Sequence, residues 1–380
     1  MKTHFYAWYF WAAFFQLCSS VTWAEVPEFT TEGFRVPQPG STLQFPRDHG
    51  SHPDYKIEWW YLTGHLQSQD QRAFGFQATF FRFAAPLNRV SPGNADFGNS
   101  QLFSSQVALT DIEGNRFLFD ERFDRNGWDA SASTERLSLK HGPWSLEMTD
   151  TASEQMQLQF NINGQAQLNL ELHPSKPKLI FGEDGTSRKG AAQTARSYYI
   201  TFSRLETTGT LVLDEKPLKV IGEAWMDHEI ASQQLSADLQ GWDWTAIQLN
   251  DGREIKAYIL RQEDGTASSF SRCIWIGKNG ETHYASPASF TWERVSTWQS
   301  PETDTAYPTT VRLSTIDPED GQSLSLTLIP MLDNQEVRGD LNGTYYWEGA
   351  CEVHNSEGES LGKAYLELAG YHDSLGEKLR

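Results

Sequence analysis

The stretch Gly222–Arg253, GEAWMDHEIASQQLSADLQGWDWTAIQLNDGR, combines three adjacent titratable residues with several tryptophans. The titratable residues are Asp227, His228 and Glu229. Carboxyl groups beside large aromatic rings suit a protein that binds an apolar molecule and also transfers a proton.

A pattern of two aromatic residues two positions apart, with a leucine five positions later, occurs twice. It begins at Trp59 and recurs at Trp242, and each copy is followed by a polar turn and an arginine, Arg72 or Arg253. Residues two apart on a strand share one face of the sheet. The pattern favours a duplicated β domain whose first strand carries an aromatic pair, and chance similarity between two strands is the alternative.

The composition predicts an all-β protein. Aromatic residues make up 13% of the 380 residues, and many short alternating runs, such as residues 73–83, are interrupted by Gly, Asn or Asp. Asn163-Gly164 is a strong hairpin signal. No long amphipathic helix is predicted, and residues 231–239 are expected to form at most a short one.

The chain is acidic, with 50 Asp and Glu against 31 Lys and Arg and a formal net charge of -19. Such a charge argues against nucleic acid or an anionic membrane surface as the main partner. The acidic residues are spread along the chain, so the charge is typical of a feature that maintains solubility.

The first 24 residues have the pattern of a secretory signal peptide, with a positive start, a short apolar run and small residues before a cleavage site after Ala24. We expect a periplasmic or secreted protein. Two cysteines, Cys273 and Cys351, lie in the predicted mature chain, and the sequence leaves their pairing open.

The titratable triplet is the main candidate for chemistry. On a strand, Asp227 and Glu229 point to one face, with Trp225 beside them, and His228 points to the other. In a water-poor cavity, burial and like-charge repulsion would keep a proton on the carboxyl pair and make it a general acid. The alternative is a solvated strand end, or an ion pair to an arginine such as Arg196. Arg204 is the other candidate partner.

A metal site is a weaker interpretation. Three consecutive strand residues cannot all face one ion, so further ligands such as His65 or His283 would be needed. We predict no metal and no cofactor.

Glu58 lies within an aromatic run, residues 59–61. An unpaired carboxylate in such surroundings is costly, so Glu58 either pairs with an arginine or works in a cavity. The aromatic rings serve either as core or as ligand contacts. Tyr198 and Tyr199 could donate a hydroxyl hydrogen bond to a ligand, or simply alternate in a strand.

These segments resemble the secreted bacterial proteins related to carotenoid 1,2-hydratase, which have lipocalin-like domains and are often labelled predicted secreted hydrolases. The similarity extends in order over about residues 55–261. The segments that carry it are 58–64 (EWWYLTG), 182–190, 197–205, 222–229 (GEAWMDHE) and 241–254.

The resemblance implies an all-β fold of two lipocalin-like β-barrels in tandem. An extended lead-in, residues 25–54, would precede domains at 55–232 and 233–380, with a ligand cavity between or within them. It also implies that an acid protonates a terminal isoprenoid double bond and that water adds to the tertiary carbocation. The match places that acid at Asp227.

We therefore expect an exported binder of an apolar isoprenoid or lipid-like molecule that hydrates or rearranges a C=C bond. His228 and Glu229 would tune or orient Asp227. The alternatives are a non-catalytic periplasmic lipid carrier serving a transport system, and a secreted hydrolase. The predicted substrate-binding residues are Glu58, Trp59, Trp60, Tyr61, Tyr198, Tyr199, Trp225, Trp242 and Trp244.

Overall fold

The computed structural model describes residues 25–375 except 85–100, 128, 237 and 342. In these ranges the regular elements are β-strands and one short 3₁₀ helix, Arg47–His49, so the all-β prediction is confirmed. Nothing helical within them has the length and hydropathy required to cross a bilayer. The predicted signal peptide, residues 1–24, lies outside the described residues.

The first half of the chain forms one antiparallel sheet of 13 strands. Its strands are β1 (Ile57–Ser68), β2 (Ala73–Ala84), β3 (Gln101–Asp111), β4 (Arg116–Arg125), β5 (Ala130–Ala132), β6 (Ser138–His141), β7 (Trp144–Asp150), β8 (Gln155–Ile162), β9 (Ala166–Pro174), β10 (Leu179–Ile180), β11 (Ser187–Arg188), β12 (Arg196–Leu213) and β13 (Lys216–Gln233). The order is β4-β3-β2-β1-β13-β12-β9-β8-β7-β6-β5, and β10 and β11 pair with β12. The sheet curls into a barrel, because β3 and β4 contact β8.

The second half forms a separate sheet of 10 strands. Its strands are β14 (Leu239–Leu249), β15 (Glu254–Gln262), β16 (Arg272–Ile276), β17 (Thr282–Tyr284), β18 (Phe290–Gln299), β19 (Ala306–Ile316), β20 (Ser323–Pro330), β21 (Glu336–Gly339), β22 (Thr344–His354) and β23 (Ser360–Ala369). The order is β17-β16-β15-β14-β23-β22-β20-β19-β18, and β21 pairs with β22. A hydrogen bond of 3.3 Å from Trp275 Nε1 to Thr315 Oγ1 joins β16 to β19 across the curled sheet.

The two sheets repeat one strand order. In each, the first strand pairs on one side with the second strand and on the other side with the last, as β1 does with β2 and β13. The register repeats as well: Tyr61 lies opposite Asp227, and Trp244 lies opposite Glu367. The aromatic pattern noted in the sequence therefore marks equivalent first strands of two duplicated units.

Three hydrophobic clusters account for the burial of most strands on both faces. One fills the first barrel and contains Trp60, and another fills the second barrel and contains Trp347. The third lies between the barrels and contains Tyr61, Trp225 and Trp244. Because side chains alternate along β1, Trp60 points into its own barrel while Tyr61 points towards the other sheet. The aromatic faces of the two sheets thus meet each other.

Of two local predictions from the sequence, the hairpin turn is confirmed and the short helix is wrong. Asn163 and Gly164 have φ values of 45° and 74°, as the predicted two-residue hairpin turn requires. The short helix expected at 231–239 is wrong. Strand β13 continues to Gln233 because its backbone pairs with β1 as far as Ala231 and with β12 at Gln233.

Candidate functional site

A cavity of about 130 Å3 lies between the two sheets, where the outer faces of their first strands meet. Its wall is mostly apolar and rich in aromatic rings, as is typical of sites for small apolar ligands. The aromatic residues that line it are Trp59, Tyr61, Phe81, Phe83, Tyr199, Trp242, Trp244, Tyr258 and Tyr346.

Four acidic side chains and one lysine face the same cavity. Asp227 and Glu229 come from β13 of the first sheet, and Glu348 and Glu367 come from β22 and β23 of the second. Lys189 is the lysine. A carboxyl group is expensive to bury unless it is paired, hydrogen-bonded or protonated, so the partners of each group decide its chemistry.

Asp227 is buried and engaged at both oxygens. The Tyr199 hydroxyl donates to Oδ2 at 2.6 Å, and the Thr201 hydroxyl donates to Oδ1. The Lys256 ammonium lies 3.7 Å from Oδ2. Asp227 therefore accepts a hydrogen bond at each oxygen and lies beside an ammonium group, while its side chain still lines the cavity.

Lys256 is a lysine buried among rings and carboxyl groups. Its Nζ lies 3.0 Å from the centroid of the Tyr199 ring and 4.1 Å from that of Phe181. Burial lowers the pKa of Lys256 to about 7, although the nearby Asp227 carboxylate works in the opposite direction. The ammonium form thus depends on Asp227 and on the π faces around it.

Glu229 has a second, separate set of partners. Its oxygens accept hydrogen bonds from Ser197 Oγ at 2.5 Å and from Gln234 Nε2 at 3.0 Å. Lys189 Nζ lies 3.4 Å away, over the Tyr199 ring. Both carboxyl groups of the first sheet therefore have a lysine partner.

Glu348 and Glu367 differ from those two groups. They lie directly opposite each other on β22 and β23. Glu348 accepts a hydrogen bond of 2.6 Å from the Tyr61 hydroxyl, and burial, followed by the charge of Glu367, raises the pKa of Glu348 well above its usual range. Burial also raises the pKa of Glu367 to about 7, against a hydrogen bond from Trp242 that lowers it. The surface that Glu367 retains faces the cavity.

A model of the family described as AttH-like matches residues 36–371, which is most of the chain. The protein belongs to the AttH-like family. The crystal structure of a Nitrosomonas europaea protein described as AttH is 30% identical, with a TM-score of 0.77, and the match covers 92% of this chain and 100% of that chain. The family resemblance inferred from the sequence is confirmed.

Kievitone hydratase from Nectria haematococca is similar to this AttH-like chain in structure. Its TM-score is 0.64 and the match covers 91% of this chain and 97% of that chain, but the identity is only 13%, so the likeness shows the fold. It agrees with the predicted tandem of lipocalin-like barrels. Comparison with curated proteins gives no match.

The AttH-like structure brings most of the predicted site residues together, but not all. In the cavity it places Asp227, Glu229, Trp59, Tyr61, Tyr199, Trp242 and Trp244. Trp225 packs edge-on against Trp244 with ring centroids 6.2 Å apart, beside the cavity and not in its wall. Four predicted residues lie on the opposite faces of their strands: Glu58, Trp60, Tyr198 and His228.

Three of these four residues, Glu58, Trp60 and His228, lie in a buried polar cluster around Glu58. Glu58 pairs with Arg82 at 3.0 Å and accepts hydrogen bonds from His52 at 2.8 Å and from His228 at 2.9 Å, while Trp60 stacks on His228 at 4.6 Å. Tyr198 lies elsewhere, with its hydroxyl accepting a hydrogen bond from the Gln38 backbone. The arginine alternative for Glu58 is thus the one observed.

Charges in this cluster are largely compensated. Burial alone would raise the pKa of Glu58, but hydrogen bonds to His228 and His52, together with the charge of Arg82, hold it well below its usual range. Burial opposes charge on His52, yet hydrogen bonds to Asp48 and Glu58 raise its pKa to about 9. Burial lowers the pKa of His228 to about 4.

The same cluster is where a metal would have to bind. His52, Glu58 and His228 each offer a ligand atom, and these atoms lie within 4.8 Å of one another. The atoms already hydrogen-bond to each other, and the Arg82 guanidinium occupies the second oxygen of Glu58. The cluster therefore fits an internal ion pair better than a cation site. His65, suggested earlier as a ligand, bonds instead to the carbonyl of Ala364 at 3.0 Å.

The sequence interpretation missed four charged residues of the site: Lys189, Lys256, Glu348 and Glu367. Three of them had a weak local signal. Lys256 and Glu367 interrupt apolar strands, and Lys189 lies in one of the segments that carried the family resemblance. None of these signals shows which strands become neighbours, which is why the residues were not joined into one site.

Proposed function

We propose that this AttH-like protein binds an apolar isoprenoid or lipid-like molecule between its sheets and adds water to a C=C bond by acid catalysis. The observation that carries the proposal is the carboxyl group of Glu367, whose pKa burial raises to about 7, in an aromatic-walled cavity. A general acid works best when its pKa lies near the working pH. The aromatic wall supplies the apolar contact that the ligand needs.

The reaction is balanced without a cofactor. A carboxyl proton is transferred to one alkene carbon, and the π electrons form the new C–H bond, leaving a carbocation on the other carbon. A water oxygen then bonds to that carbon and releases a proton to a carboxylate of the cavity. The faces of Trp59 and Trp242, which line the cavity, would stabilise the cation.

The size of the cavity limits which part of a ligand it encloses. At about 130 Å3 it is comparable with an engineered apolar cavity of roughly 150 Å3 that binds benzene. It would therefore hold one end of a long isoprenoid chain. The fold is shared with an enzyme named as a hydratase, and this supports the reaction class.

The test is an isotope experiment on purified protein. Lycopene, squalene and farnesol are incubated in deuterated water, and mass spectrometry looks for a product heavier by one deuterium oxide. Asp227→Asn and Glu367→Gln are expected to keep ligand binding, measured by tryptophan fluorescence, and to lose turnover. The exposed Glu357→Gln is the matched control and should behave as the wild type. No labelled product from the wild type would rule out hydration of these alkenes, and full turnover in both cavity variants would rule out Asp227 and Glu367 as groups that the reaction needs.

A non-catalytic lipid carrier is the second candidate, and one observation favours it. Asp227 sits in a closed arrangement with Lys256 and two hydroxyl groups, as a structural carboxylate would. A carrier serving a transport system would retain ligand through purification without altering it. Mass spectrometry of the molecule that co-purifies would separate the candidates, and a polar, water-soluble ligand would contradict both.

We also propose export to the periplasm or beyond, with cleavage after Ala24. The support is the sequence pattern of residues 1–24. N-terminal sequencing of the protein from a periplasmic extract should begin at Glu25. An intact Met1 in the cytoplasmic fraction alone would overturn export.

A further inference from the structure

We propose that Glu348 and Glu367 share a proton and form the proton-donating pair of the cavity, a catalytic assignment that rests on the proposed function. Their substrate would be an electron-rich isoprenoid alkene that yields a tertiary carbocation. Asp227, in contrast, would act as a positioning residue that holds Tyr199 and Lys256.

The first support is the geometry of the pair. Glu348 and Glu367 occupy directly opposed positions of neighbouring strands, and both side chains line the cavity. No ion pair joins either carboxyl to a basic side chain within the ranges that the structure covers; their donors are the Tyr61 hydroxyl and the Trp242 indole. Glu348 Oε2 is buried and has no hydrogen-bond partner among those residues. Two adjacent carboxyl groups in this setting cannot both ionise readily, so one retains a proton.

The duplicated register provides a second, independent support. Asp227 opposes Tyr61 in the first sheet as Glu367 opposes Trp244 in the second. The next strand then places Thr201 opposite Asp227, but Glu348 opposite Glu367. A hydroxyl donor in one half is therefore replaced by a second carboxyl group in the other.

The lysine beside Asp227 is also replaced by a neutral residue at the equivalent position of the other sheet. Lys256 on β15 lies opposite Ala246 of β14. Gln77 on β2 lies opposite Thr63 of β1, which is the equivalent position in the first sheet. Lys256 reaches across to Asp227, whereas Gln77 reaches across to the Tyr346 hydroxyl at 3.3 Å. The carboxyl pair of the second sheet thus has a neutral amide where Asp227 has an ammonium group.

The remaining charged and titratable groups around the pair reinforce this difference. Asp227 and Glu229 on β13 add negative charge that disfavours ionisation of Glu367. The two lysines of the site, Lys189 and Lys256, are committed to Glu229 and Asp227. Tyr61 on β1 and Tyr346 on β22 remain neutral phenols, since burial raises the pKa of each well above its usual range.

The proposed step conserves protons over one cycle. The shared proton moves from the pair to the alkene carbon, and both carboxyl groups are then ionised beside the carbocation that they stabilise. Water bonds to the cation, and its released proton returns to the pair. The pair acts first as acid and then as base, so no second proton source is needed.

Infrared spectroscopy tests the shared proton without any substrate. At pH 7 the wild type is expected to show the C=O stretching band of a protonated carboxyl group. Glu348→Gln and Glu367→Gln should each shift that band, because one buried carboxyl group remains, the double variant should lose it, and Asp227→Asn should retain it. Absence of the band in the wild type, an unshifted band in both single variants, or its persistence in the double variant would overturn the proposal. Circular dichroism confirms that each variant is folded.

Gln77→Lys is a gain-of-charge test of the same idea. The new ammonium should let both carboxyl groups ionise and remove the infrared band. A Gln77→Met variant, which adds no charge, should keep the band. Retention of the band in a folded Gln77→Lys protein would contradict the assignment.

Turnover then separates this proposal from the one on which it rests. If the wild type hydrates a test alkene, each glutamine variant should lose about 100-fold or more in rate, the range typical of general acid catalysis. Full activity in both variants would refute the pair as donor and leave the hydration function standing. No turnover by the wild type, with the infrared band present and removed as expected, would instead refute hydration while supporting the shared proton.

Discussion

At the scale of single residues, the cavity shows how the partners of a carboxyl group decide its chemistry. Asp227 and Glu367 occupy equivalent positions of two repeated sheets, and both face the same space. Asp227 has hydroxyl donors and Lys256, whereas Glu367 faces Glu348. Equivalent carboxyl groups in unlike surroundings are the arrangement from which acid and base roles can be divided.

The raised pKa of Glu367 predicts a pH-dependent stability. Its pKa rises from an ordinary value of 4.5 to about 7, so the folded state binds more protons than the unfolded state between these limits. The free energy of unfolding therefore falls as pH rises through that window, by roughly 3 kcal/mol for this group. Glu367→Gln should remove the contribution of this group to the slope, and at pH 8 it should melt at a higher temperature than the wild type.

Thermal denaturation between pH 4.5 and 8 measures this effect. The exposed Glu357→Gln serves as control and should leave the wild-type slope unchanged. Parallel curves for wild type and Glu367→Gln over the whole range would show that Glu367 titrates normally.

At the scale of strands, alternation along β1 separates two kinds of residue that one sequence run contains. Trp59 and Tyr61 face the cavity, while Glu58 and Trp60 face the interior of the first barrel. A period of two already predicts this separation, as it correctly predicted that His228 points away from its acidic neighbours. Treating the run as a single site was therefore an error that the sequence itself could have prevented.

Other parts of the site could not be predicted from the sequence. Glu348 and Glu367 lie opposite each other in the β22–β23 pairing, but Glu348 meets the Tyr61 hydroxyl only because strands of the two sheets stack. Lys256 reaches Asp227 only because the two sheets stack face to face. Such contacts depend on closure over long sequence separations, and local periodicity carries no information about them.

The pairing of β1 with β2 predicts a large effect for Arg82. Arg82 lies opposite Glu58, and both side chains are buried. Arg82→Met would leave the buried Glu58 carboxylate with its histidine partners alone, at a cost of about 3–5 kcal/mol in the free energy of unfolding. Chemical denaturation should show this loss, and the Arg82→Met/Glu58→Gln double variant should recover part of it. A loss below about 1 kcal/mol in the single variant would show that the pair is dispensable.

Close approach of paired strands predicts the effect of two glycines. A Cβ at Gly222 would lie 1.9 Å from the His65 carbonyl oxygen, and one at the equivalent Gly362 would lie 2.3 Å from that of Gln248. Gly222→Ala and Gly362→Ala should each destabilise the fold by about 1–3 kcal/mol because the backbone must shift. Gly40→Ala, where the added atom meets nothing within 4 Å but φ is +74°, isolates the cost of backbone conformation alone. Equal losses in all three would refute the steric explanation.

At the scale of the whole molecule, buried side chains tie the two halves together. Lys176, which follows β9, hydrogen-bonds Glu254 at 2.7 Å and the carbonyls of Gly252 and Gly277 at 2.7 and 2.8 Å. Arg204 on β12 donates to the same Glu254 at 2.6 Å. The shared hydrophobic cluster and these contacts favour unfolding of both barrels in one cooperative transition.

The two cysteines provide a measurement of that cooperativity. Cys273 and Cys351 are both free thiols, and both are buried in the second barrel. Burial raises the pKa of Cys273 to about 12, so neither access nor thiolate content favours reaction in the folded state. A thiol reagent should label them only as the protein unfolds, at the same denaturant midpoint as tryptophan fluorescence. A reducing agent should leave the melting temperature unchanged, and a lowered one would reveal a disulfide.

The repeated strand order also bears on how such a site can arise. Two identical barrels that associate about a two-fold axis must carry the same residue at each of the positions that Gln77 and Lys256 now occupy. An ancestral dimer of that kind would have two cations in its cavity or none. When both copies lie in one gene, each can mutate independently. One half can then keep an ion pair, as Asp227 and Lys256 form, while the other carries two carboxyl groups, Glu348 and Glu367. The polarity of this cavity thus requires two halves that differ in sequence, which one chain with two repeated sheets supplies.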